Sequence, residues 1–163
     1  MSKASIEEMI QLYVNKHYPK RVDEYYKKLK ELRVSKLKKY SDKILLNGDL
    51  MWQDQKETRD LKITTLEALR YCRSLNLATK KDWRLPSYEE LLTIVNYFRF
   101  DAAKIDEIQH IRSNQYWTSS PDAADISANW YVDFKYGQTG STLREKKLNV
   151  RCVRDMEKEG ELF

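Results

Sequence analysis

Two capping boxes fix where this chain starts its helices. Thr64 stands three residues ahead of Glu67, and Ser87 three ahead of Glu90. In such a box the hydroxyl accepts the backbone N–H of the acid, and the acid reaches back to the N–H of the cap. Two donors that a helix start leaves orphaned are satisfied together. The first box opens a helix over Leu66–Leu75. The second opens Tyr88–Tyr97, with Pro86 just ahead to hold the incoming chain extended.

Around these helices the chain reads as strand. Ile44-Leu45-Leu46 and Leu50-Met51-Trp52, joined by Asn47-Gly48-Asp49, predict a hairpin. Tyr116–Ser119 is rich in strand formers, and Trp130, Val132 and Phe134 share one strand face. Gly137 and Gly140 are expected in a turn, and Leu148–Arg154 as the last strand. The polar run Gln53–Lys62 reads as a loop and residues 156–163 as a charged, frayed tail. Residues 44–155 therefore predict one α+β domain.

Residues 1–43 are expected to form a helical arm, with helices over 5–18 and 21–40 broken near Pro19. In the second, Val22, Tyr25, Leu29 and Leu32 recur at helical spacing between Lys27, Lys28, Lys30 and Arg33, which makes it amphipathic. Arg33 and Lys36 interrupt the seam of a long coiled coil. The net charge of +5 sits in the first 50 residues, which hold 12 Lys and Arg against 7 Asp and Glu, leaving 18 of each for the remainder. The arm is expected to pack on its own domain or on a second copy, or to serve docking or an anionic surface. The alternative to a recognition module is a structural adaptor whose arm docks in a larger assembly while the domain caps it. A nucleic-acid role is the weaker reading, because no base-reading motif accompanies the charge. No stretch approaches the roughly 20 apolar residues of a membrane span. Met1–Glu8 lacks the apolar core of a secretory signal, so the chain is expected to be cytoplasmic as written unless a leader has been removed.

No Gly-rich phosphate loop or nucleophile elbow is present. Two cysteines with His17 and His110 make no metal-ligand spacing. Asp54, Glu57 and Asp60 lack the alternating order of a calcium loop and read as a solvated acidic run. No enzyme activity, metal or cofactor is expected.

An ordered series of motifs runs through the domain: Leu50-Met51-Trp52-Gln53-Asp54, Glu67-Ala68-Leu69 with Tyr71-Cys72, Asp82-Trp83-Arg84-Leu85-Pro86 with Glu90-Leu91, Tyr116-Trp117-Thr118-Ser119-Ser120, Trp130 and Val132-Asp133-Phe134 with Gly137, and Val150-Arg151-Cys152-Val153-Arg154. From about Gly48 to Asp155 this series resembles the Lcl C-terminal domain family, related in fold to C-type lectins and formylglycine-generating enzymes. The resemblance implies a C-type-lectin-like domain: two helices flanking a twisted antiparallel sheet, with long loops on one side. It also implies an extracytoplasmic setting, since the bacterial adhesin that names the family is implicated in binding sulfated glycans. The reactive cysteines of formylglycine-generating relatives have no counterpart here.

With the resemblance, Cys72 and Cys152 are expected as a disulfide between the first helix and the last strand, or, in a reducing compartment, as a buried thiol pair. Trp83, Trp117 and Trp130 are expected in the core and Pro86 at a structural turn. Arg84 is expected as a buried guanidinium on Glu90, Asp82 or Asp133, its loss costing about 3–5 kcal/mol. Ligand contacts, glycan or protein, are expected in the loops between Ile111 and Lys147, through Asn114, Gln115, Asp122, Asp125, Asn129, Tyr136, Gln138 and Arg144.

Overall fold

The computed structural model describes residues 43–156 together with Lys16, Glu24, Lys27 and Lys28. The chain divides into two compact units, residues 1–39 and 40–163, and every element below lies in the second. The helical arm expected over residues 1–43 lies outside the described residues, apart from those single positions. Those four positions are helical, and within residues 43–156 the first element is a strand.

Strands β1 (Ile44–Asn47), β2 (Leu50–Gln53) and β3 (Lys62–Ile63) precede helix α1 (Thr65–Ser74). Helix α2 (Tyr88–Leu92) follows, then β4 (Gln115–Pro121), β5 (Ala128–Asp133), β6 (Gln138–Leu143), β7 (Leu148–Asn149) and β8 (Val153–Asp155). They form a three-stranded sheet in the order β1-β2-β8 and a five-stranded sheet in the order β3-β7-β4-β5-β6. Pairing is antiparallel except between β4 and β7, which run parallel at Tyr116 and Asn149.

The expected α+β, C-type-lectin-like class, with two helices flanking one antiparallel sheet, is thereby corrected. The described residues are mostly β, in two sheets, with helices of ten and five residues. Both capping boxes form as read, Thr64 with Glu67 and Ser87 with Glu90. The second helix, however, stops at Leu92 instead of Tyr97. Thr93, Ile94 and Val95 are β-branched and stiff in a helix. Their N–H groups reach back only three residues, to Glu90, Leu91 and Leu92, which tightens and ends the turn. The expected last strand, Leu148–Arg154, is also two: β7 and β8 belong to different sheets, and Val150-Arg151-Cys152 crosses between them. Gly140 lies inside β6 and not in a turn. It faces Tyr131, whose hydroxyl would stand 2.5 Å from any Cβ placed there.

Apolar runs without alternation fill both faces of a strand, and here they feed two cores. Ile44, Met51, Trp117 and Cys152 enter one, with Cys72, Trp83 and Leu85. Their chain neighbours Leu45, Trp52, Tyr116 and Val153 enter the other, with Leu91, Val132 and Phe134. Cys72 and Cys152 are joined as a disulfide, with Cα atoms 5.4 Å apart and both residues fully buried. The bond ties α1 to the crossing segment. No helix among the described residues is long and apolar enough to cross a membrane.

Arg84 departs from its expected burial. Its guanidinium forks onto Glu90 with two bonds of 2.7 Å and reaches Asp155 at 3.1 Å, but its side chain is 38% exposed. Glu90 lies well below the usual carboxylate range because of that fork, helped by the Ser87 N–H. Asp82 is taken by the buried Arg154, at 2.7 and 2.9 Å, and Asp133 accepts the N–H of Lys135. Water therefore screens the Arg84 pair. Arg84→Ala should cost about 1 kcal/mol, not 3–5. A thermal melt checks this: a fall of more than about 10 °C would mean that the pair behaves as buried.

Candidate functional site

Past α2 the chain forms a loop held at its base by the antiparallel contact of Val95 with Lys104. Asn96 accepts the N–H of Phe98 on its side-chain oxygen (3.0 Å) and that of Arg99 on its carbonyl (3.2 Å), so the turn is made locally. Asp101, at φ +55, donates its N–H to the Lys135 carbonyl (2.7 Å), and Ala103 donates to Phe134 (2.6 Å). Arg99 is paired with Asp106. The loop is thus tied to its own base and to the β5–β6 turn.

That turn depends on Gly137. Its φ is +72, and a Cβ there would meet Val95 Cγ1 at 3.0 Å and the Tyr97 ring at 3.6 Å. Glycine is needed for both conformation and space. The close approach brings the loop and the turn together into one tip. On it Phe98 is 99% exposed, Phe100 76%, Tyr97 65% and Tyr136 54%. Lys135 stands 5.2 Å from the Tyr136 ring centre. The Lys104 ammonium is pushed below its ordinary value by burial and then by the nearby Arg99. These groups supply ring faces, amide hydrogen bonds and a few cations.

The eight residues expected to contact a ligand fall into two groups. Asn114, Gln115, Gln138 and Tyr136 lie at the tip end of β5. The Asn114 carbonyl accepts the Phe134 N–H, and Gln115 and Gln138 flank Asp133 in register. Asp122, Asp125, Asn129 and Arg144 lie at the other end, five strand steps or about 17 Å away. There Asn129 and both carboxyls are already engaged within the fold. Asn129 is buried, donating to the Thr118 carbonyl (3.0 Å) and accepting from Arg144 Nε (2.7 Å). Asp122 accepts from the Ser141 hydroxyl and the Ala124 N–H, and Asp125 from the hydroxyl and N–H of Ser127. These bonds hold both carboxyls below the usual range.

Of the structural residues, Trp83 and Trp117 are buried, their indole N–H groups donating to the Lys80 and Ile63 carbonyls. Trp130 is only half-buried, edge-on to Tyr88 at 5.6 Å. Pro86 is buried and its carbonyl accepts the Ser119 N–H. The acidic run is not uniformly solvated. Asp54 is buried and accepts the N–H groups of Gln109 (2.7 Å) and His110 (2.8 Å), which replace water. Asp60 takes the Arg112 fork, which holds it below the usual range, and Glu57 is exposed. No three of these side chains, or of any described His, Cys, Asp or Glu, converge on a metal position. His17 lies outside the described residues.

Tyr97, Phe98 and Phe100 were not foreseen, because the expected helix ran through Tyr97. The available signal was Tyr97-Phe98-Arg99-Phe100, three rings in four residues, separated only by Asn96 from the β-branched run Thr93-Ile94-Val95.

Compared with known families, residues 46–154 match the model of the Lcl C-terminal domain. No curated protein matches the chain.

Proposed function

The chain belongs to the Lcl C-terminal domain family, and we propose that it works as a non-enzymatic recognition module, taking a glycan or protein ligand on its aromatic tip. The observation that carries this reading is the exposure of Tyr97, Phe98 and Phe100 on a loop, and of Tyr136 on the adjoining turn, with the loop backbone hydrogen-bonded to itself and to that turn. A mere connection has no use for rings held in water, and contiguous exposed apolar surface marks interaction sites. An ordered loop loses little conformational freedom on binding, so the ring contacts appear as affinity. Asn114, Gln115 and Gln138 beside the rings add orientation.

Because Arg99 already has Asp106 and Lys135 lies at Tyr136, binding should rest on stacking more than on charge. It should persist when salt shortens the Debye length to about 3 Å. The test is an array of neutral and sulfated glycans, probed in low and high salt with the parent and with Phe98→Ala/Phe100→Ala. The expected result is salt-tolerant binding that the double variant loses, with an unchanged melting temperature. Equal binding by the double variant would sink the tip as the site.

A further inference from the structure

The five-stranded sheet ends on β6. Its six residues pair one for one with β5, without a bulge. Successive residues of an antiparallel strand turn their N–H and C=O groups to opposite sides. The outer side of β6 therefore presents a row of donors and acceptors, and from Gln138 to Thr142 no described residue pairs with it.

Proteins blunt such edges with lysine, proline, a bulge or shortness, and β6 uses none of these. The other edges differ: β3 has two residues, one of them Lys62, β1 has four, and β8 has three with its far side bridged by Arg84.

We propose that β6 accepts an extended strand from a partner protein. Donors and acceptors alternating at strand spacing are matched along their length only by another extended backbone. Gln138–Leu143 carries no charge, and Lys135 and Arg144 stand only beyond its ends. The segment that fits has about six uncharged residues, β-branched or aromatic at alternate positions. This surface is the sheet edge. It does not rest on the ring contacts of the tip.

The experiment titrates the full chain with a labelled synthetic peptide of sequence Ala128–Val132, the uncharged part of the strand that already pairs with the inner side of β6. Binding is followed by fluorescence anisotropy and by residue-resolved amide hydrogen exchange. Saturable binding is expected, with alternate amides between Gln138 and Thr142 slowed by about tenfold or more. Affinity should fall by about tenfold when proline replaces the tyrosine of the peptide, or when the chain carries Thr139→Lys. Absence of saturable binding, equal binding by the proline peptide, or slowing confined to Tyr97–Phe100 would overturn the proposal. So would a dimer of the chain alone in which these amides are already slow, since a second copy would then be the occupant. Should Thr139→Lys not fold, the proline peptide still decides.

Discussion

A Cys72→Ala/Cys152→Ala chain should melt about 15 °C below the parent, the loss corresponding to about 4 kcal/mol. The bond closes a separation of 80 residues, and a cross-link of that span removes much of the freedom of the unfolded chain. It also sits at the crossing between the two sheets. Cys152 belongs to the segment that leaves the five-stranded sheet and enters the three-stranded one, and Cys72 is near the end of α1. Both residues are fully buried among Trp83, Trp117 and Met51. Reductant without denaturant should therefore leave the bond intact. The measurements are paired thermal melts and a free-thiol count, in reductant, with and without denaturant. A variant melting within about 3 °C of the parent would show that the two cores hold the crossing segment unaided.

What the sequence made legible was local. Each capping box is complete within four residues, so Thr64 and Ser87 could be read without knowing the fold. The Asn47-Gly48-Asp49 turn is local too. The sheet partners of β7 and β8 are not. Leu148–Arg154 reads as one strand, because the crossing between sheets at Arg151 is set by contacts about 40 to 90 residues away, at His110 and Thr58. The class was misread for a related reason: helix starts announce themselves, whereas the stop after Leu92 lies in three β-branched residues with no glycine or proline. At the site, polarity in the sequence does not distinguish a free group from an engaged one: Asn129, Asp122 and Asp125 hold hydrogen bonds within the fold, whereas the tip exposes Gln138 together with its rings. The sequence does not say which arginine is buried: Arg84 and Arg151 both stand in apolar motifs, but of the two only Arg151 is enclosed.

Arg151→Ala should destabilise the domain by about 4 kcal/mol, making it the costliest single side-chain truncation expected here. Arg151 is fully buried, and among the described residues no carboxylate pairs with it. One amino group donates to the Thr58 hydroxyl (3.2 Å) and carbonyl (3.4 Å) and to the Val150 carbonyl (3.3 Å), and the other donates to the His110 carbonyl. The guanidinium lies 6.0 Å from the Tyr116 ring centre, and its Nε is buried without a partner. Burial pushes its pKa below the ordinary arginine value, while Tyr116 and Asp54 oppose the shift. One side chain thus fastens the segment around Thr58 and the segment around His110 to the crossing between the sheets. Truncation leaves a cavity and strands carbonyls that water cannot reach. Arg151→Lys separates charge from shape. An ammonium keeps the charge but cannot span Thr58 and His110 as a planar fork does, so the lysine variant should recover less than half of the lost stability. Amides of Gln109 and His110, held by Asp54, should exchange faster in both variants. Full recovery by lysine, or unchanged exchange at Gln109 and His110, would mean that the fork is not what holds the two segments.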